Sequence, residues 1–458
     1  MKRIRGMLVI AATGAALAGL TGAVSAQSVP SIPVESYTLP NGLQVLLHED
    51  HSTPIVAVNT WYHVGSSNEQ VGRTGFAHLF EHIMFMGSQH VPVGAFDNWL
   101  EAAGANNNGS TTQDRTNYYE VLPSNALPLA LWLDADRMGW LLPTMDLSKL
   151  DLQRDVVKNE RRQNYDNVPY GRADETILAA LYPKSHPYSW PTIGSMADLS
   201  AASLDNVKDF FRTYYAPNNA TIAIAGDFNR DSVKALINHY FAQIPRGPAE
   251  PVEQAPPPVN LVRDTSVVLE DRVQLPRLYY AWHTVKAFAP DDATLDVLAF
   301  ILAGDRSSRL YTKLVYDLQV AQRVTAFQNS GRRDGFFQLD ATPKEGRTPA
   351  EIAKLMDTEI VSLAQHGPSA REVQRAQNTM RANFLDQLAS VLGKADQLNL
   401  YNYFVGTPDY VQQDAARYDR VTAADVQRVA AQYLGAKKVI LTVVPTGKTD
   451  LQVRGGTR

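Results

Sequence analysis

Two patterns of apolar positions alternate along this chain, and each recurs in its second half. Short runs of alternating or continuous apolar residues at 37–46, 56–62, 220–225, 278–282 and 439–444 predict strands. The first of them folds back on itself around Asn41-Gly42, a hairpin signal. Elsewhere apolar residues return every three or four positions and predict helices at 203–211, 292–303 and 422–430, and one through the segment around His78. Strands and helices in mixed order, with hairpins, predict an α+β fold in which each half is a mostly antiparallel sheet packed by helices.

The halves read as copies. Ser203–Phe211, Tyr214 and then the 220–225 strand close the first; Thr422–Ala430, Tyr433 and the 439–444 strand close the second. Each is a capped amphipathic helix, a short turn and a buried strand. Between them, residues 245–261 hold Pro245, Pro248 and Pro256-Pro257-Pro258, a density that favours an extended, semi-rigid spacer. The expected organisation is residues 1–26 as a signal peptide, 27–244 as an N-terminal domain, 245–261 as linker and 262–458 as a homologous C-terminal domain.

The signal-peptide reading rests on Lys2, Arg3 and Arg5, the small apolar residues that follow, and Val24-Ser25-Ala26 before Gln27. It implies cleavage after Ala26 and a periplasmic mature chain. No later stretch is apolar for long enough to span a membrane. With no cysteine, an exported chain must rely on its hydrophobic core, and any metal must be held by histidine and carboxylate. A formal net charge of -4 implies no nucleic-acid surface.

The chemistry concentrates in His78-Leu79-Phe80-Glu81-His82. Two histidines four apart on a helix share a face, so both can reach one metal ion while Glu81 stays free as a base. This is the inverted form of the H-E-x-x-H pattern. Packing in a core helix is the alternative for the histidines, but burying three polar groups together without a metal is costly. A catalytic zinc site needs a third protein ligand, and spacing alone leaves Glu160, Glu101 and Asp155 open. Placing Gly304 against Gly87 sets Leu295, Leu298 and Ala299 where His78, Glu81 and His82 stand, so the second half carries no metal chemistry.

Gly75–Ser88 resembles the signature of the insulinase/pitrilysin family of zinc peptidases. So do Asn108-Gly109-Ser110-Thr111, Asp114, Thr116 and Tyr118-Tyr119, the segment Val156–Glu160, and Gly304–Leu310, in the family's order. The resemblance implies one zinc ion per chain held by His78, His82 and Glu160. Glu81 would then be the general base for the attacking water, passing its proton to the leaving amine. It also implies that Asn108 and Gly109 lie on an edge strand that pairs with peptide substrates. Read without it, the Asn106–Gly109 run is a turn.

Two departures from the family pattern stand out. A carboxylate often precedes the third ligand by seven residues; here that place is Gln153, which can orient a ligand but adds no charge. Active relatives also carry an Arg and, seven residues on, a Tyr in the non-catalytic half; in register those places are Val315 and Gln322. Arg309 and Tyr316 have the same separation but sit six residues early. The expectation is therefore the zinc-bearing subunit of a heterodimer whose homologous, zinc-motif-free partner supplies the Arg and Tyr. A homodimer or monomer that works without them, and a catalytically idle structural or peptide-binding member, are the alternatives. No loop cradles phosphate, so a nucleotide-binding enzyme has no support.

Overall fold

A computed structural model describes residues 29–249, 251, 254–259 and 261–455. The expected signal peptide and its cleavage site lie outside the described residues, as do positions 250, 252, 253 and 260 of the expected linker.

The strands of the first half are β1 (Glu35–Thr38), β2 (Gln44–Glu49), β3 (Ile55–Tyr62), β4 (Asn106–Thr111), β5 (Thr116–Pro123) and β6 (Ala220–Gly226). They form one sheet in the order β1-β2-β6-β3-β5-β4. Those of the second half are β7 (Thr265–Asp271), β8 (Arg277–Thr284), β9 (Ala321–Ser330), β10 (Gly335–Pro343) and β11 (Val439–Pro445), in the order β7-β11-β8-β10-β9. Each sheet has a single parallel pair among these strands, β2 with β6 and β7 with β11, and is otherwise antiparallel. Apart from the extra β1, the orders superpose strand for strand, which is the duplication the sequence pattern implied. The expected fold class is the one observed.

Strand alternation decides what covers each sheet. Val45, Leu47, Val56, Val58, Ile222 and Ile224 point to one face of the first sheet and join the core under the motif helix, Phe76–Ile83. Their neighbours Leu46, Ala57, Ala223 and Ala225 point to the other face, and a helix of the second half, Val391–Val405, packs there through Ala395, Leu398 and Tyr401. The second sheet shows the reciprocal arrangement. Leu278, Tyr280 and Trp282 face their own core, while Tyr279 and Ala281 meet Ala173 and Ile177 of the first-half helix Ala173–Leu181. Each half thus lends one helix to the other's sheet.

The equivalent hairpins β4–β5 and β9–β10 also meet. Asp114 accepts from the Arg332 amide at 2.9 Å and from the Tyr188 hydroxyl at 2.6 Å, and that hydroxyl accepts from the Arg333 amide. No helix among the described residues is long and apolar enough to cross a membrane.

Candidate metal centre

The motif helix starts abruptly. Gly75 holds φ +90°, and a Cβ there would press on the backbone of Ile193 and Gly194, so a glycine begins the helix without a side-chain cap. Glu69 takes over that function from outside, accepting from the amides of Gly75 at 2.9 Å and Ala77 at 2.8 Å. Phe76, Leu79, Phe80 and Ile83 are buried in the core, and the Tyr118 hydroxyl of β5 donates to the Phe80 carbonyl at 3.2 Å. That register leaves His78, Glu81 and His82 on the flank facing β4 and the helix Leu147–Arg161.

This second helix is capped by Asp146, which accepts from the Lys149 amide, and buries Leu150, Gln153, Val157 and Arg161 as one stripe. Arg161 fixes its end by donating to Glu175 at 2.6 Å and to the Gly194 carbonyl at 2.8 Å. Gly194 is the residue that Gly75 abuts. The last turn of one helix and the first turn of the other are therefore tied through Arg161, which holds Glu160 opposite the histidines.

Glu160 Oε2 lies 3.2 Å from His82 Nε2 and 3.7 Å from His78 Nε2, and donor atoms of all three residues lie within 4.8 Å of one another. The imidazoles cross at 83° with centroids 4.9 Å apart. Three donors about a tetrahedral zinc at roughly 2.0–2.1 Å stand roughly 3.3 Å from one another, so two imidazole nitrogens and a carboxylate oxygen at these separations fit that ion in chemistry and geometry. Among the described residues this is the only group of three such side chains close enough to hold a metal. The alternatives left open by spacing fall elsewhere: Glu101 and Asp155 are both exposed on their helices and neither joins the group.

Electrostatics suit the assignment. Burial pushes the His78 imidazole down to about 4, with His82 acting in the same direction, so it is neutral and able to offer a lone pair. A hydrogen bond with His82 holds the Glu160 carboxyl below its ordinary value. Burial raises Glu81, against the opposing pull of the Thr111 hydroxyl and His82, as suits a group that must accept and return a proton.

The remaining expectations divide. The Asn106–Gly109 run is no turn: it is strand, with Asn108 opposite Tyr119 and Gly109 opposite Tyr118, because pairing with β5 outweighs the turn preference of asparagine. β4 is the edge of its sheet, as substrate pairing requires, although the Asn108 side chain already accepts the Gly109 amide at 2.8 Å. Gln153 does not meet the expectation of a ligand-orienting group: its Nε2 donates to Met86 Sδ at 2.7 Å, and the buried His78 Nδ1 has no hydrogen-bond partner among the described residues. Val315 packs against the second core and Gln322 is exposed on β9. Arg309 is engaged with Glu372, Glu359 and the Gly367 carbonyl, which removes it as a free substrate contact. Thr111, whose hydroxyl donates to Glu81 Oε2 at 2.6 Å, was given no role by the sequence pattern beyond its place in the Asn108–Thr111 run.

Comparison with known proteins decides the family. Residues 44–190 match the model described as "Insulinase (Peptidase family M16)", and residues 201–380 match "Peptidase M16 inactive domain". The chain belongs to the M16 insulinase family. The M16 relative "Zinc protease PqqE" of Helicobacter pylori is 29% identical over 409 residues, covering 87% of this chain and 90% of the relative. A probable mitochondrial-processing peptidase subunit beta of Arabidopsis thaliana is 24% identical over 89% of this chain and 77% of its own length. The crystal structure of a protease from Helicobacter pylori superposes with a TM-score of 0.82 at 26% identity, covering 91% of this chain and all of that one. A structure from Pseudomonas fluorescens titled as a peptidase M16 inactive domain shares the fold at TM-score 0.80 and 21% identity. The M16 relatives named as zinc proteases support a peptidase, with zinc as its metal.

Proposed function

We propose that this chain is an exported zinc endopeptidase that hydrolyses peptides or unfolded polypeptides in a periplasmic compartment, and that it is the catalytic subunit of a two-subunit M16 enzyme. The observation that carries the reading is the convergence of His78, His82 and Glu160 beside a glutamate, Glu81, that joins no ligand set. Zinc held by those three would act as a Lewis acid toward water and the peptide carbonyl. Glu81 takes the proton of the attacking water and returns it to the departing amine nitrogen. A substrate strand pairs along β4 at Asn108 and Gly109, displacing the Asn108 side chain, so recognition runs through backbone and tolerates varied sequences.

The partner is a homologous subunit without the zinc motif. The observation behind it is that Val315 and Gln322 stand where active relatives have Arg and Tyr, and that Arg309 is held by Glu372. The beta-subunit name of the Arabidopsis relative agrees with such an assembly. A homodimer is the competing assembly, and an idle peptide-binding subunit the competing function.

The test is cleavage of a quenched fluorescent peptide by zinc-verified chain, alone and mixed with a zinc-motif-free homologue encoded beside it. Activity only in the mixture, abolished by Glu81→Gln, supports the two-subunit reading. Activity of the chain alone contradicts the need for a partner. Full zinc content with no cleavage in either arm supports the idle reading.

A further inference from the structure

The strand assigned to substrate also grips the catalytic base. Thr111, last residue of β4, donates its hydroxyl to Glu81 Oε2 at 2.6 Å. Two residues earlier, the missing side chain of Gly109 lets β4 lie against Glu81: a Cβ there would come within 3.1 Å of Glu81 Cγ, closer than such atoms normally pack. Tyr118, opposite Gly109 on β5, closes the arrangement by bonding the Phe80 carbonyl in the turn that carries Glu81.

From this geometry we infer that Thr111 is a positioning residue for Glu81, an inference that rests on the peptidase reading of the site. A glutamate side chain has three torsions to fix, and a free one spreads its carboxylate over several rotamers. The Thr111 hydroxyl engages Oε2, leaving Oε1 as the oxygen available to the water proton. The bond is between a hydroxyl and a carboxylate in a half-buried setting, which makes it stronger than a neutral pair.

Because the same strand is the pairing edge for substrate, the base and the substrate backbone are set in register by one element. A shift of β4 would move both. Gly109 has the complementary part: it admits the close approach, and a side chain there forces either β4 or Glu81 to give way. Catalytic groups misplaced by even about 1 Å lose on the order of 100-fold in rate, so a hydroxyl that restricts Glu81 acts on turnover rather than on binding.

The experiment compares Thr111→Val, which keeps the shape and removes the hydroxyl, with Thr111→Ser, which keeps the hydroxyl. Both are made in the full chain, assayed in the assembly that gives wild-type cleavage, and crystallised. The expected result for Thr111→Val is kcat down about 10- to 100-fold with KM and zinc content held within about twofold, and a Glu81 carboxylate that leaves its wild-type position. Thr111→Ser restores kcat to within about threefold and keeps the carboxylate in place. Wild-type kcat in Thr111→Val, or an unmoved Glu81 in its crystal structure, overturns the inference. A wild-type chain that cleaves nothing in any assembly counts against the peptidase reading instead, and the crystallographic arm then decides this one.

Discussion

His82 and Glu160 face each other at 3.2 Å although they belong to different helices, and Arg161, the next residue along, is what keeps them there. The pair is held by tertiary contacts rather than by the motif, so its loss can be separated from loss of the motif. Glu160→Gln keeps size and hydrogen bonding but weakens the donor; zinc affinity is expected to fall about 100-fold or more, beyond what an outer-sphere change costs. Zinc titration by calorimetry checks this, and an unchanged Kd would remove Glu160 from the ligand set.

Arg161→Met tests the tie itself. Losing two bonds at the helix end, one of them to Glu175, is expected to weaken zinc binding about 10-fold while leaving all three ligands in the sequence. The same titration with a circular-dichroism control reads it. Equal affinity would show that the helix end positions itself without Arg161.

Arg309 serves stability rather than substrate contact. Burial works to raise Glu372, but hydrogen bonds from Arg309 and from Ser369 outweigh it and hold the carboxyl down at about 2. With its side chain 19% exposed, the fall from the ordinary 4.5 corresponds to about 3 kcal/mol at most. A lowered carboxyl contributes this stability above pH 4.5 and loses it as pH falls toward 2. Arg309→Met is therefore expected to lower stability at neutral pH and to flatten the loss between pH 4.5 and 2, without a selective change in KM. Urea melts across that range measure it; a parallel downward shift at every pH would contradict the assignment.

The exchanged helices predict that neither half is complete by itself. A fragment of residues 29–249 exposes Leu46, Ala57, Ala223 and Ala225, which Val391–Val405 covers in the whole chain. It is expected to bind a hydrophobic dye and to aggregate, and to be rescued on co-expression with residues 254–455. A monomeric, cooperatively melting fragment would show that this face tolerates water.

What the sequence disclosed follows from how locally each feature is encoded. His78, Glu81 and His82 are legible because one helical turn brings them together, and β8 because its apolar run from Leu278 to Trp282 is continuous. Glu160 could not be chosen by spacing, since its place depends on the Arg161–Gly194–Gly75 contact between distant segments. Asparagine's turn preference masks the Asn106–Thr111 strand in the residue pattern, so only the family resemblance points to it, and pairing with β5 imposes it. The helix exchange has a signal in the sequence: Ala57, Ala223 and Ala225 are apolar where a solvent-facing strand position would be polar. Thr111 lay within the run that resembles the family's strand, but only folding brings it to Glu81.

The proposed reaction needs zinc on His78, His82 and Glu160, and Glu81 to move the proton. Tagged wild-type and Glu81→Gln chains are recovered from the cell that makes them, with whatever partner accompanies them. Zinc content and peptide cleavage are then measured on the same samples. One zinc per chain is expected in both, with cleavage lower by about 100-fold or more in Glu81→Gln. A zinc-free wild type, or a Glu81→Gln chain that cleaves as well as wild type, would contradict the proposed reaction.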